Sequence, residues 1–238
     1  MRSMGHKKLI RFGELKTFPN VLEYPVTMAG KWAHFFGNPH PLVLELACGK
    51  GEYTTGLARL HPEQNFMGVD LKGNRIWVGA KYALTHGLKN AAFLRTQIEG
   101  IDTYFSSGEV SEIWITFPDP QLRRSKAKKR LTHPRFLRLY QKILEPGGRI
   151  HLKTDSPDLY RFTKQVIEIY GLALQQDITD LYQESSPKPE LTIKTYYEGL
   201  DIARSRQVFY LCFSLPEVLP QADEALEKLL KEDPVPQG

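Results

Sequence analysis

The chain has 238 residues, 41% apolar and 25% charged, with a formal net charge of +5, which suits one large domain with a substantial core. No apolar run approaches the roughly 18–20 residues that span a bilayer, and the first cations are not followed by the apolar stretch of a signal peptide, so we expect a cytoplasmic protein without a membrane partner. Two cysteines, Cys48 and Cys212, form neither a disulfide framework nor a metal-ligand pattern, so no metal is expected.

Strand-like and helical patterns alternate along the chain from residue 42 onward. Strands are predicted at 41–46, 65–70, 91–95, 112–116, 149–154 and 207–215. Helices are predicted at 52–60, 74–86, 98–105, 134–144, 157–170 and near 223–231, with Gly147-Gly148 ending the fourth. This alternation indicates an α/β fold with a doubly wound, mostly parallel sheet and a late antiparallel strand.

The same patterns suggest three parts of the chain. We expect a basic N-terminal arm and entry segment at 1–38, the main domain at 39–215 and an acidic C-terminal tail at 216–238. No internal repeat or low-complexity block interrupts the main domain.

Three strand ends carry residues suited to a ligand. Gly49 and Gly51 follow the first strand and allow the tight turn that approaches a ligand closely. Asp70 ends the second strand, where a carboxylate can bind both ribose hydroxyls, and Gln97 follows the third, where an amide can pair with an adenine edge. Because Glu45 would repel a pyrophosphate, it favours a cofactor with a cationic end, such as the amino group of S-adenosylmethionine.

Other interpretations of this turn remain open. A dehydrogenase fingerprint requires a third Gly or Ala where this chain has Thr54, and a P-loop requires an upstream glycine and a Ser or Thr after the Lys. Glu45 could also be a solvated acid at a strand end, with the glycines forming only a tight turn.

The fourth strand leads into the segment with the strongest signal, Phe117-Pro118-Asp119-Pro120. Two prolines restrict the backbone on either side of Asp119. The next residues hold six cations within eight positions: Arg123, Arg124, Lys126, Lys128, Lys129 and Arg130. The rest of the chain is close to neutral, so the basic segment 123–130 is a local patch of positive charge. Beside the Pro-Asp-Pro element, such a patch predicts a polyanion bound next to an active site. The alternative is a solvated basic loop.

Several motifs together resemble the bacterial TrmB-type tRNA (guanine-N7-)-methyltransferases over about residues 40–213. They are Glu45-x-x-x-Gly49-x-Gly51-Glu52, Gly68-Val69-Asp70, Phe117-Pro118-Asp119-Pro120 with the basic segment, Leu131-Thr132-His133-Pro134-Arg135-Phe136-Leu137, Pro146-Gly147-Gly148, His151-Leu152-Lys153-Thr154-Asp155 and Thr195-Tyr196-Tyr197-Glu198. The resemblance implies a class I, Rossmann-like methyltransferase that uses S-adenosylmethionine and modifies guanine 46 in the variable loop of tRNA.

The resemblance also assigns roles to individual residues. It implies Glu45, Gly49, Gly51, Asp70, Gln97 and Asp119 around S-adenosylmethionine, Asp119 as the catalytic residue, and Arg123, Asp155, Thr195, Tyr196, Tyr197 and Glu198 against the tRNA. Two positions depart from the family pattern. The family commonly has an acid at the position of Gln97, and a Trp-Pro pair followed by lysines in place of Gln121-Leu122-Arg123-Arg124, which leaves the path of the loop after Pro120 in question.

The implied chemistry needs little from the protein beyond orientation. Guanine N7 has a free lone pair at neutral pH, so no base has to remove a proton. Asp119 or Asp155 could accept hydrogen bonds from the N1–H and N2–H₂ edge of the base and stabilise its developing positive charge. Alternatively, both acids could be helix caps, and Tyr196 and Tyr197 could be packing residues.

Two other functions fit part of the pattern. An RNA-binding protein with an inactive methyltransferase fold would keep the basic segment without turnover, and a methyltransferase could act on a protein or a small molecule. The intact acids disfavour the first function and the basic segment disfavours the second. The oligomeric state and the choice of tRNAs are left open by the sequence.

Overall fold

The computed structural model describes residues 4–200 and 204–232. Within these residues eight strands form one sheet: β1 (Val21–Glu23), β2 (Leu42–Leu46), β3 (Asn65–Asp70), β4 (Ala91–Arg95), β5 (Val110–Thr116), β6 (Leu144–Thr154), β7 (Ala173–Ile178) and β8 (Phe209–Ser214). The helices are α1 (Met4–Leu15), α2 (Trp32–Phe36), α3 (Glu52–Leu60), α4 (Gly73–Thr85), α5 (Pro134–Ile143), α6 (Pro157–Ile169), α7 (Pro189–Thr192) and α8 (Asp223–Glu232). Short 3₁₀ turns occupy Ile98–Thr103, Arg124–Lys129, Leu181–Gln183 and Glu198–Leu200.

The sheet order is β1-β4-β3-β2-β5-β6-β8-β7. The first six strands of this order pair in parallel, and β8 runs antiparallel to both β6 and β7. From β2 the chain builds outward through β3 and β4, then returns to place β5 on the other side of β2. The predicted doubly wound sheet with a late antiparallel strand is therefore confirmed. In such sheets a ligand crevice forms outside the carboxyl ends of the strands where the order reverses, which here is between β2 and β5.

Helices cover both faces of the sheet because each face carries apolar side chains. One core packs α5, α6 and α8 against the sheet and includes Phe136, Phe162 and Leu226. The other core packs α3 and α4 on the opposite face and includes Tyr53 and Ile76. The two cores enclose the sheet between helical layers, and this packing sets the positions of the strand ends.

The prediction that Gly147-Gly148 ends the fourth helix is wrong, although the predicted last residue, Leu144, is only one position beyond the observed one. The helix α5 ends at Ile143, and Leu144 already pairs with Val110 of β5. The register then shifts, so that the next pair is Glu112 with Arg149, and the residues between form an excursion within β6. Gly147, with φ of +78°, allows this excursion. The glycine pair therefore shapes a strand and does not terminate the helix.

Elements outside residues 39–215 also join the fold. β1 pairs with β4 at the sheet edge, and α1 packs against α4. In the segment expected as an acidic tail, α8 lies as predicted, and Leu226 on it is buried in the core. Residues 1–3, which belong to the expected arm, and 233–238, which belong to the tail, lie outside the described residues. Over the described part of the chain, the helices are too short or too polar to cross a membrane.

Candidate functional site

A cleft of about 210 Å³ opens at the carboxyl ends of the central strands. Three residues expected at the cofactor line it together: Asp70 at the end of β3, Gln97 after β4 and Asp119 after β5. Ala47, which follows β2, and Phe136 from α5 complete part of its wall. Parallel strands bring their carboxyl ends to one edge of the sheet, which explains why residues distant in the chain meet here.

Asp70 is fixed by the backbone of the loops around it. Its Oδ2 accepts a hydrogen bond from the Gly49 N–H at 2.9 Å, and its Oδ1 accepts one from the Lys72 N–H at 2.7 Å. Each carboxylate oxygen has two lone-pair directions, so both oxygens can accept a further bond from a ligand hydroxyl. Asp70 is therefore held in one orientation and remains able to bind a diol.

The turn after β2 requires glycine at two positions. Gly49 and Gly51 have φ values of +56° and +71°, in the left-handed region that side chains disfavour. A Cβ at Gly51 would overlap the Phe93 ring, and a Cβ at Gly49 would lie 3.1 Å from Cε2 of Tyr197. The turn is thus closely packed from below by Phe93 and from above by Tyr197.

Glu45 lies inside the sheet and is not part of the cleft lining. Its Oε2 accepts hydrogen bonds from the Thr54 N–H at 2.8 Å and from the Thr54 hydroxyl, and its Oε1 accepts one from the Thr116 hydroxyl at 2.7 Å. Burial raises the pKa of Glu45 to about 7, although the Thr54 and Thr116 bonds lower it. The carboxyl group therefore joins the first turn of α3 to the end of β5, directly beneath the glycine turn. The two threonines were not identified from the sequence, because their role depends on strands β2 and β5 being neighbours.

Asp119 is exposed at the mouth of the cleft, on a loop with a defined shape. Its Oδ1 accepts a hydrogen bond from the Gln121 N–H at 3.0 Å, and Phe117, at φ of +46°, starts the loop. The alternative that Asp119 caps a helix is wrong, since the next helical turn starts only at Arg124, and Arg123 is its cap residue. The side chain of Asp119 therefore faces the cleft, where it can meet a bound ligand.

Asp155 lies just after β6 and is half-buried. The alternative that it caps α6 is also wrong, because Ser156 is the cap residue: its Oγ accepts a hydrogen bond from the Leu159 N–H at 3.2 Å. Asp155 is not among the residues that line the 210 Å³ cleft. It follows the strand that adjoins β5, so its backbone is one strand away from the loop that carries Asp119.

The segment 188–200 lies over the glycine turn. Tyr196 is exposed, and the Lys50 Nζ lies 3.2 Å from the centre of its ring. Tyr197 is half-buried, lies on Gly49 and has the Arg75 guanidinium 5.3 Å from its ring centre. The two tyrosine rings also meet edge to face.

Thr195 and Glu198, in contrast, are buried. The Thr195 Oγ1 accepts a hydrogen bond from the Glu198 N–H at 3.1 Å, and Glu198 forms an ion pair with Lys153 of β6 at 3.0 Å. Sequence reasoning did not single out Lys153, which looks like an ordinary strand residue beside Thr154. Of the four residues expected against tRNA in this motif, the structure exposes the tyrosines at least in part and buries the other two.

The basic segment 123–130 borders the cleft, where Lys129 is one of the lining residues. Arg123, Lys126 and Lys129 are exposed. Arg124 donates to the Leu230 carbonyl oxygen, and Lys128 pairs with Glu227 at 3.0 Å, so both contact α8.

The expectation that all six cations face a polyanion is wrong for Arg130. This side chain is 7% exposed, and its guanidinium lies 4.4 Å from the centre of the Phe162 ring. Its Nε donates to the carbonyl oxygens of Pro120 and Gln121 at 3.2 and 3.4 Å. Arg130 therefore fixes the path of the loop after Pro120, the region where the chain departs from the family pattern at Gln121-Leu122-Arg123-Arg124.

Among the described residues, no group of three or more His, Cys, Asp or Glu side chains is arranged to hold a metal ion. The site is built from carboxylates, an amide and backbone groups around one cleft.

Comparison with known proteins places this site in context. Residues 39–211 match a protein-family model described as "Putative methyltransferase". A tRNA (guanine-N(7)-)-methyltransferase of Porphyromonas gingivalis is 51% identical over 215 residues, covering 85% of this chain and 87% of that protein. A protein of the same name from Bacteroides thetaiotaomicron is 48% identical over 235 residues, covering 94% of this chain and 92% of its own length.

Solved structures agree on the fold. The 16S rRNA methyltransferase KamB superposes with a TM-score of 0.58 at 17% identity, covering 83% of this chain and 99% of the other. A 30S ribosomal A1408 methyltransferase from an uncultured bacterium gives a TM-score of 0.58 at 16% identity, covering 82% of this chain and 98% of the other. At this identity the likeness concerns the class I methyltransferase fold alone.

Proposed function

Because the chain belongs to the family of bacterial tRNA (guanine-N7-)-methyltransferases, we propose that it transfers a methyl group from S-adenosylmethionine to N7 of guanine 46 in the variable loop of tRNA. The observation that carries this proposal is the cleft at the switch between β2 and β5. Asp70, Gln97 and Asp119 line it together, and Lys129 of the basic segment lies at its border. In this proposal the nucleoside site and the polyanion site are adjacent.

The residues around the cleft fit S-adenosylmethionine. Asp70 keeps two acceptors for the ribose hydroxyls while the Gly49 and Lys72 N–H groups hold it in place. Gln97 offers a donor and an acceptor for the adenine edge, and the glycine turn allows close approach of the backbone. Glu45 lies beneath this turn, and its ionised form, favoured above its pKa of about 7, would place negative charge near the cationic end of the cofactor. When bound, the cofactor supplies an activated methyl group on a sulfonium.

The guanine base requires orientation more than activation. N7 is a nucleophile at neutral pH, so the protein contributes by aligning it and by stabilising positive charge on the purine. Asp119 suits this task because it is exposed at the cleft and its direction is set by the Gln121 N–H. Asp155, on the adjoining strand end, is the second acid that could accept hydrogen bonds from the guanine edge.

The tRNA backbone would contact the exposed cations of the basic segment. Arg123, Lys126 and Lys129 project near the cleft, whereas Arg130 supports the loop from inside. Tyr196, exposed above the glycine turn, offers a surface on which an unstacked base can lie. Guanine 46 is engaged in the folded core of tRNA, so we expect it to be displaced at least in part before N7 is reached.

A cytoplasmic location accompanies this function. Both Cys48 and Cys212 are free and buried, which suits a reducing compartment where tRNA is processed.

The decisive experiment incubates the protein with labelled S-adenosylmethionine and unmodified tRNA, and then maps the methylated nucleoside. We expect 7-methylguanosine at position 46. The matched control is the same tRNA with adenine at that position, which should accept no label. Label at another position would overturn the assignment of guanine 46, and cofactor binding without transfer would indicate an RNA-binding protein with an inactive fold.

A further inference from the structure

Lys153 is a charged residue in the interior of the protein, 0% exposed, near the end of β6. Its Nζ donates three hydrogen bonds: to the carbonyl oxygens of Leu191 and Ile193, each at 2.9 Å, and to Oε2 of Glu198 at 3.0 Å. An ammonium has three donors, so all of them are used. All three acceptors belong to the segment 188–200, so this one side chain attaches the segment to β6 at three points.

Glu198 is equally well enclosed. Its Oε2 meets Lys153, and its Oε1 accepts a hydrogen bond from the Tyr182 hydroxyl at 3.0 Å. The side chain of Glu198 is 3% exposed in this ion pair. Its backbone N–H is bound to Thr195, which closes a tight turn around Tyr196 and Tyr197. The buried pair thus anchors the turn that carries the two tyrosines.

Further contacts fix the segment against α3. The Tyr53 hydroxyl donates to the Glu190 carbonyl oxygen, and the Ile193 side chain lies against Gly56, where a Cβ would come within 2.9 Å of it. From this position Tyr197 lies on Gly49 of the glycine turn. The segment therefore covers the glycine turn, and its place is set by contacts inside the protein.

Lys153 is also joined to the loop that carries Asp119. In the sheet it pairs with Thr116, the last residue of β5, and its carbonyl oxygen accepts the Phe117 N–H at 2.8 Å. Its ammonium lies 5.6 Å from the centre of the Phe117 ring, within the range of a cation–π interaction. Lys153 therefore contacts both the start of the Asp119 loop and the segment 188–200.

A buried ion pair is a poor means of stabilising a fold, because well-packed apolar residues of the same volume often serve as well or better. Burial accordingly lowers the pKa of Lys153, an effect that Glu198 opposes. The three hydrogen bonds of the Lys153 ammonium do, however, define the position of the segment 188–200 closely. The pair is thus better suited to setting geometry than to adding stability.

We propose that the Lys153–Glu198 pair is a positioning element for methyl transfer, which holds the segment 188–200 over the glycine turn and in register with the Asp119 loop. Glu198 then acts through Lys153 and not by touching tRNA, and Tyr196 and Tyr197 are the parts of the motif that meet ligands. This inference rests on the proposed function, whose residue roles it refines.

The central test is the neutral double variant Lys153→Met/Glu198→Gln, which leaves no buried charge without a partner. We expect the KM for S-adenosylmethionine to rise by roughly tenfold and kcat to fall, because Tyr197 no longer lies firmly on the turn, a coupling of the size found between contacting residues. The Kd for tRNA should stay within about twofold of wild type, since phosphate contacts dominate it. Urea unfolding should show a cooperative transition at a lower urea concentration than wild type, because the carbonyl oxygens of Leu191 and Ile193 lose a donor, and this transition confirms that the variant is folded.

The matched control neutralises an exposed pair by the same chemistry, Lys164→Met/Asp177→Asn, which joins α6 to β7 at 2.7 Å. Its kinetics should equal those of wild type. The single variant Glu198→Gln completes the test, since its amide oxygen still accepts from Lys153 and the fold should survive.

Two results would overturn the inference. One is a folded double variant with wild-type KM and kcat. The other is a Glu198→Gln variant that binds tRNA more weakly with an unchanged KM for the cofactor, which would mean that Glu198 contacts tRNA. Calorimetry without tRNA measures the affinity of the double variant for S-adenosylmethionine directly, and this affinity should fall together with the rise in KM. If wild type itself methylates no tRNA, the proposed function fails while this binding measurement still decides the role of the pair.

Discussion

The stability of the folded protein should depend on the protonation of Glu45. Glu45 is 2% exposed, and burial raises its pKa from 4.5 to about 7. In the unfolded chain the same group ionises near its ordinary value. Between these two values the folded protein therefore binds more protons than the unfolded chain, and the stability contributed by Glu45 declines as the pH rises through this window.

The magnitude can be worked out from the two pKa values. One pKa unit corresponds to about 1.4 kcal/mol, so the contribution of Glu45 should fall by about 2.5 kcal/mol between pH 5 and pH 8. The substitution Glu45→Gln removes this titration. Its amide oxygen can accept from Thr54, and the Thr116 hydroxyl can rotate to accept from the amide, so we expect the variant to fold.

The assay is urea unfolding of wild type and Glu45→Gln at several pH values, with the difference in unfolding free energy as the readout. The difference should change by about 2.5 kcal/mol in favour of the variant from pH 5 to pH 8. A matched control is Glu168→Gln, an exposed position on α6, which should follow wild type at every pH. If the difference in unfolding free energy between wild type and Glu45→Gln were the same at pH 5 and pH 8, Glu45 would not titrate in this window, and its burial would not raise its pKa. Cofactor affinity of the same variant, measured at pH 8, should fall if Glu45 supplies charge to the site.

Three further predictions concern the cleft and the basic segment. Asp119→Asn replaces an acceptor by a donor opposite the guanine edge, so the rate of single-turnover methylation at saturating tRNA should fall by roughly 10²–10³-fold, the scale of one preorganised electrostatic group. A rate within about threefold of wild type would mean that Asp155, and not Asp119, stabilises the guanine. Asp70→Ala removes charge-assisted bonds to the ribose, and calorimetry should show cofactor binding weaker by about 1.5–3 kcal/mol, whereas unchanged affinity in a folded variant would exclude Asp70 from the site. Changing Arg123, Lys126 and Lys129 to Gln should reduce the slope of log affinity for tRNA against log salt concentration by about 0.7–0.9 for each phosphate that the variant no longer neutralises. Cofactor affinity is the control and should not change. An unchanged slope would mean that these cations only make the surface soluble.

Local sequence patterns predicted the central elements well. The helix Glu52–Leu60 and the strands Asn65–Asp70 and Ala91–Arg95 lie where the apolar runs and the flanking turn residues place them. The two strands are buried between the helical layers, so their sequences are mostly apolar. The cues that define their ends act within a few residues, and such cues are visible in the chain.

The prediction failed where long-range pairing overrode the local cue. Gly147-Gly148 is a typical end of a helix, yet pairing with β5 draws Leu144 into the sheet and leaves the glycines within β6. β7 (Ala173–Ile178) was not predicted because its side chains are mostly exposed and show no apolar pattern. It is a strand only because β8 lies beside it.

The sequence by itself determined the doubly wound fold, the family and the positions along the chain of Asp70, Gln97 and Asp119, because strand ends, glycine turns and charge clusters are local properties. The tertiary structure alone decided what each charged group does. It buried Glu45 against Thr54 and Thr116, turned Arg130 inward onto Phe162, and paired Lys153 with Glu198. The sequence shows which residues carry a charge, but the burial and the partners of each charged group depend on segments that meet only when the sheet forms. Burial and partners decide whether a charged group binds a ligand or stabilises the fold.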